Sequence, residues 1–162
     1  MTYSAAIIAN YFINLSKRDN KKLTPLKLIK LVYISYGWYL ALCDRFLIKE
    51  RIIAWKYGPV IEPLYREFKK YGNNQITKNI KIDNEELIDE NNNLICDNET
   101  KTLLDEVWEK YGDYSGIELS AMTHKEGSPW YKVWEEQKKN TGDCPIDDTL
   151  IRNYYSDLAH SD

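Results

Sequence analysis

The first part of the chain has apolar residues at helical spacing. In residues 4–17 they fall at positions i, i+3, i+4 and i+7, which predicts an amphipathic helix. They are Ile8, Tyr11, Phe12 and Leu15. The next run, residues 26–42, is apolar on nearly every side, and it follows Thr24 and Pro25, which suit the N-cap and the first helical position. Because a helix that is apolar all round is normally buried, we expect this one to be the central scaffold.

The pattern changes from helical to extended over residues 46–58. Two short β-favouring runs, 46–48 and 52–55, flank a charged step, which predicts a small hairpin or a single strand. Gly58 tolerates a positive φ and Pro59 has a fixed φ, so we expect the chain to turn there from strand to helix. Residues 60–71 have a helical apolar face, and Gly72 is suited to end that helix.

Residues 73–99 form an acidic, asparagine-rich segment. Between Lys81 and Lys101 the chain has seven acidic residues and no basic one. The acidic residues are Asp83, Glu85, Glu86, Asp89, Glu90, Asp97 and Glu99. Short apolar islands around three consecutive asparagines are compatible with a β-hairpin, and the alternative is a solvated loop.

The C-terminal part returns to helical patterns. Helices are expected over 99–111, from a Ser115–Glu118 capping box to about His124, after the Ser-Pro step at 128–129, and over 150–158. Candidate capping residues are Asn98, Ser115, Ser128, and Asp147 or Asp148. The whole pattern predicts a mainly α protein, a compact single-domain helical bundle over residues 1–162 around a buried central helix, with a small β element.

Length and composition agree with that interpretation. The chain has 162 residues, and domains most often contain roughly 100–150. The three cysteines show no paired spacing, which is typical of reduced thiols in a cytoplasmic protein. We find no leader-like N-terminus and no apolar run near the roughly 18 residues of a membrane span, so we expect a cytoplasmic protein with no membrane partner. Thirteen tyrosines and five tryptophans suit either protein interfaces or the outer core of a small domain.

The net charge of −3 argues against a nucleic-acid partner, because nucleic-acid binding depends on neutralising phosphates. A local basic group in residues 17–30 is the alternative that keeps this function open. It consists of Lys17, Arg18, Lys21, Lys22, Lys27 and Lys30.

Candidate catalytic chemistry is limited to His124 with Ser120 one helical turn earlier. A nucleophile and base also need an orienting carboxylate and an oxyanion site, and the sequence has no elbow motif that would build one. The alternative is that His124 binds free carbonyls in the last turn of its helix. Without zinc or calcium motifs or a glycine-rich phosphate loop, we expect no metal, no cofactor and no enzyme activity.

Three segments carry a resemblance when they are taken together. LTPLKLIKLVYISYGWYLAL, IIAWKYGPVIEPLYREFKKYG and LSAMTHKEGSPW occur in that order, and the chain over about 5–135 resembles the Panacea domain, a SocA-like antitoxin and phage-associated family. Two positions depart from the family: Ile29 stands where glutamine is frequent, and Tyr39 where histidine is frequent.

The resemblance implies an antitoxin-type binding protein that neutralises a cognate protein toxin, encoded by an adjacent gene, by direct contact. In one branch of the family the antitoxin also delivers its toxin to a protease. The alternatives are a phage or mobile-element accessory protein and a nucleic-acid-binding regulator that uses the basic group at 17–30.

Two sets of candidate site residues follow. We expect Lys56, Tyr57 and Tyr65 to contact the partner, with surface packing as the alternative, and Asp83, Glu85 and Glu86 to complement a positively charged partner. The second set is expected to form the structural motif of the fold. It comprises Trp55, Gly58, Pro59, Thr123, His124, Pro129 and Trp130.

Overall fold

The computed structural model describes residues 2–82, 97–141 and 144–161. Within these ranges the protein is mainly helical with a small sheet, which confirms the predicted fold class. The helices are α1 (Ala5–Asp19), α2 (Pro25–Cys43), α3 (Glu62–Phe68), α4 (Asn98–Tyr111), α5 (Gly116–His124), α6 (Pro129–Tyr131) and α7 (Asp148–Ala159). A 3₁₀ turn at Lys69–Tyr71 follows α3, and a π-helical turn at Lys132–Glu136 follows α6. The strands are β1 (Ile53–Trp55), β2 (Gly58–Val60) and β3 (Cys144–Pro145).

Helix α2 is the centre of the fold, as its apolar pattern predicts. It packs against α1, α4, α5 and α7. The Thr24 side chain accepts the N–H of Lys27 at the N-terminus, and Asp44 ends the helix in the left-handed conformation. Of the helices that the structure describes, α2 alone is long and apolar enough to cross a membrane. In the sequence we found no apolar run near that length, so this finding corrects that prediction. However, 72% of its most apolar stretch is buried inside the protein, as expected for a core helix.

The small β element differs from the predicted one. The hairpin joins β1 to β2, with Ile53 opposite Val60 and Trp55 opposite Gly58, and β3 pairs with the other edge of β1. Gly58 and Pro59 therefore belong to a strand, whereas the sequence placed them at a strand-to-helix joint. The run at 46–48 contributes only a single parallel bridge between Ile48 and Tyr3. The reversal falls at residues 56–57, because Gly58 adopts a φ of 115° and pairs directly with Trp55.

Two helix starts are shifted from the prediction. Helix α3 begins at Glu62 rather than residue 60, because residues up to Val60 are held in β2. Asp97, not Asn98, caps α4, and its carboxylate also accepts the hydroxyl of Tyr3 at 2.9 Å. The acidic segment predicted over 73–99 lies largely outside the described residues, since these omit 83–96.

Candidate functional site

The three sequence segments that carry the family resemblance meet at one place in the fold. The β1–β2 turn lies over α2 at Lys30 and against the end of α5 at His124. Trp130, at the start of α6, donates its indole N–H to the carbonyl of Trp55 at 2.6 Å. The segments are therefore parts of one contact cluster, which we call the motif joint: Lys30, residues 55–59, Ser120, and residues 123–130.

Lys30 is the buried centre of the motif joint. Its ammonium donates to the carbonyl of Pro59 at 2.8 Å and to that of Tyr57 at 3.3 Å, and only 2% of the residue is exposed. No carboxylate among the described residues pairs with it. Burial lowers the pKa of this ammonium to about 7, because a charged group loses hydration in the interior. The lysine therefore fixes the backbone of the turn from beneath.

Gly58 is required at the motif joint for two reasons. Its φ of 115° lies in a region that residues with a side chain rarely adopt. In addition, a Cβ atom at this position would lie 2.8 Å from Nζ of Lys30 and 2.9 Å from Cε1 of His124. The glycine thus allows the turn to approach both side chains closely.

The α5–α6 connection is held by side-chain bonds to its own backbone. Thr123 donates its hydroxyl to the carbonyl of Ser120 at 2.9 Å, and Ser128 donates to the carbonyl of Thr123 at 3.1 Å. Pro129 occupies the first turn of α6, where its missing N–H is not needed. The rings of His124 and Trp130 lie 4.3 Å apart between centroids. These contacts make the connection a rigid support for the β1–β2 turn.

The geometry of His124 is that of a helix-terminal residue, which was the alternative to a catalytic base. Its Nδ1 lies 2.6 Å from the carbonyl of Ser120, so this nitrogen is the donor of that bond. It lies 3.4 Å from the Ser120 hydroxyl, which donates to the carbonyl of Tyr57. No described carboxylate contacts His124, and among the described residues no group of three or more His, Cys, Asp or Glu side chains is suited to hold a metal ion.

The predicted partner-contact residues of the turn lie on the outer face of the motif joint. Tyr57 is 71% exposed, and the ammonium of Lys56 lies 5.5 Å from the centre of its ring. Tyr65 of α3 is 43% exposed and packs edge-on against Trp55, with ring centroids 5.0 Å apart. The acidic members of the predicted set, Asp83, Glu85 and Glu86, lie outside the described residues.

A groove beside this face was missed by the sequence analysis. A hollow of about 280 Å³ lies between α2, the β1–β2 turn and α3. Its lining includes Leu26, Ile29, Lys30, Tyr57, Tyr65 and Lys69. Ile29, one of the two departures from the family pattern, thus contributes an apolar wall. The only sequence signal was the presence of two lysines, Lys27 and Lys30, within the otherwise apolar α2 run.

The basic group at 17–30 does not form one exposed surface. Lys27 and Lys30 are buried, and Lys27 donates to the carbonyls of Lys22 and Gly112. Arg18 pairs with Asp19, and Lys21 pairs with Asp113 at 2.8 Å. Most of these basic side chains therefore already have partners within the protein and are not free to bind the phosphates that the nucleic-acid alternative requires.

Comparison with known proteins agrees with a small helical protein of the antitoxin class. The family described as "Antitoxin SocA-like, Panacea domain" matches residues 28–131, and this chain belongs to that family. A curated relative, the antitoxin SocA of Caulobacter vibrioides (strain NA1000 / CB15N), is 28% identical over 143 residues, which cover 85% of this chain and 74% of the relative. No solved structure matches the chain.

Proposed function

We propose that this protein is a cytoplasmic antitoxin that neutralises a cognate protein toxin by direct contact, without catalysing a reaction. Family membership and the antitoxin relative support the class of function. The observation that supports direct contact is the exposed aromatic face of the motif joint. Tyr57 projects into solvent from a turn whose backbone is fixed by Lys30, Ser120 and Trp130. A rigid support with an exposed aromatic residue suits a binding surface, because little ordering entropy is lost on association.

The experiment is co-expression with the adjacent open reading frame, with growth and co-purification scored together. We expect the neighbour alone to arrest growth, and co-expression of this chain to restore growth and yield a stable complex. His124→Gln tests whether the function needs a base. Because His124 also packs against Trp130, the stability of this variant is measured first, and a variant that keeps its stability should still restore growth. A harmless neighbour that forms no complex would reject the proposal and favour a phage or mobile-element accessory role.

The same strains test delivery of the toxin to a protease, which we include as a second part of the proposal. If this chain is an adaptor, the toxin level should fall on co-expression only in cells that contain the protease. If the toxin stays at a constant level while growth is restored, neutralisation occurs by binding alone. The adaptor part would then be rejected and the binding part retained.

A further inference from the structure

The hollow beside the motif joint is one of two adjoining hollows that together form a longer groove. A second hollow of about 600 Å³ lies between the N-terminal end of α2 and the start of α5. Leu26 and Asn73 line both hollows, so the two are continuous around the N-terminus of α2. We call the combined feature the α2 N-terminal groove.

Exposed apolar side chains are concentrated along this groove. The described part of the chain has seven large apolar side chains that are exposed, and four of them line the groove: Tyr57, Tyr65, Tyr114 and Ile117. Ile117 is the most exposed of all, at 78%. A group of exposed apolar side chains along one concave surface is typical of a protein contact site.

The charges of the groove are predominantly positive. Three lysines line the second hollow and two line the first, against the two carboxylates of Asp113 and Glu118. Both carboxylates already have partners, since Asp113 pairs with Lys21 and Glu118 accepts the N–H of Ser115.

Of the five lysines, Lys21 is paired, Lys27 and Lys30 are buried donors to backbone carbonyls, and Lys22 and Lys69 are exposed. In the described ranges no carboxylate pairs with Lys22, Lys30 or Lys69. The groove therefore offers apolar area together with the exposed positive charges of Lys22 and Lys69, which no described carboxylate of this chain neutralises.

We propose that the α2 N-terminal groove binds an acidic segment of the protein partner, with an apolar side chain seated between Tyr57 and Tyr65 and carboxylates facing Lys22 and Lys69. This assignment rests on the proposed function, since it names the surface and the partner chemistry of the same binding event. The acidic run at 83–99 led us to expect a positively charged partner, whereas this groove favours a negatively charged partner segment. A phosphate backbone is the less suitable occupant, because Leu26, Ile29 and Ile117 offer it no polar contact.

The test compares matched variants for binding to the purified product of the adjacent gene. Ile117→Ser and Lys69→Glu alter exposed positions in the groove. Leu42→Ser and Lys49→Glu are the matched changes at exposed residues that line neither hollow. We expect each groove variant to weaken binding by about tenfold or more, because Ile117→Ser removes a central apolar contact of the proposed interface and Lys69→Glu sets a carboxylate against the acidic segment. The two controls should bind within about twofold of the wild type.

A photo-crosslinker in place of Tyr57 tests the chemistry of the partner segment. Mass spectrometry of the crosslinked product should recover a peptide with Asp or Glu beside an apolar residue. A peptide rich in Lys or Arg would overturn the proposal. Salt-sensitive binding to DNA that is lost in Lys69→Glu would also overturn it, and would assign the groove to nucleic acid instead.

Failure of this proposal is distinguishable from failure of the proposed function. If the wild type binds the neighbour and the groove variants bind equally well, the antitoxin function stands and the groove is the wrong surface. If the wild type does not bind at all, the proposed function fails, and the groove assignment fails with it.

Discussion

The two ends of helix α2 are attached to the rest of the protein in different ways. At the N-terminal end, Lys27 and Lys30 are buried, and their ammoniums donate to backbone carbonyls of distant segments. At the C-terminal end, exposed ion pairs join Arg45 to Glu99 and Arg152 to Asp44. A buried donor to a backbone carbonyl fixes the path of the chain, whereas exposed ion pairs contribute little to stability. We therefore expect sequence changes to be poorly tolerated at the first end and well tolerated at the second.

The largest expected effect is that of Gly58→Ala. The new side chain would require an unfavourable φ and would displace both Lys30 and His124. We expect the free energy of unfolding to fall by roughly 2–4 kcal/mol, measured by urea denaturation. Gly127→Ala is the matched control, because Gly127 has a φ of 90° but open space around it. Equal losses in the two variants would show that backbone strain alone, and not the close approach to Lys30 and His124, makes Gly58 necessary.

Trp130→Phe tests the connection between α6 and the hairpin. The change removes the N–H that binds the carbonyl of Trp55 while it keeps an aromatic ring at the position. We expect a loss of about 1–3 kcal/mol in the free energy of unfolding, since the donor of a partly buried hydrogen bond is removed and the smaller ring fills less space. Trp134→Phe is the control, because Trp134 stacks on Trp130 at 5.8 Å near the surface. If both variants lose the same amount, ring size rather than the hydrogen bond supports the joint.

The contrast between the two ends also explains what the sequence was able to predict. The apolar period and the caps Thr24 and Ser115 act within a few residues, so α1, α2 and α5 follow from local pattern. The burial of Lys27 and Lys30 depends instead on carbonyls of Gly112 and Pro59, which are remote in sequence. Both lysines were therefore assigned to the local basic group at 17–30, although the fold buries them.

The candidate site could be predicted only in part, because some of its residues are neighbours in sequence and others are not. Tyr57 and Tyr65 stood out as aromatic residues beside a turn, and the structure brings them to one face. The groove itself was not predictable, because Ile117 and Lys69 come from segments that meet only in the folded chain. A capping-box pattern explained residues 115–118 locally and gave no indication that Ile117 remains exposed. The shifted hairpin has a different origin, since Trp55 and Gly58 pair across a two-residue turn, which is a local contact that the predicted strand-to-helix joint overlooked.

Lys30→Met tests the buried end of α2 through the pH dependence of stability. In the folded protein the pKa of Lys30 is about 7, below its ordinary value of 10.5, so between these values the unfolded chain binds more protons. The stability of the wild type should therefore rise with pH, relative to Lys30→Met, by up to about 1.4 kcal/mol per pH unit above about pH 7. Below that range both states are protonated, and the difference should be constant. Parallel stability curves for the two proteins from pH 6 to pH 9 would show that Lys30 keeps an ordinary pKa in the fold.

Arg152→Ala is expected to have the smallest effect, and it tests the tolerant end of α2. Arg152 lies 2.7 Å from Asp44, and both side chains are largely exposed, so water and salt screen the pair. We expect a change below about 1 kcal/mol in urea denaturation, and a smaller one at high salt. A loss as large as that of Trp130→Phe would mean that the C-terminal end of α2 is fixed as firmly as the motif joint. In that case the difference between the two ends would lie in burial alone and not in the stability that each contributes.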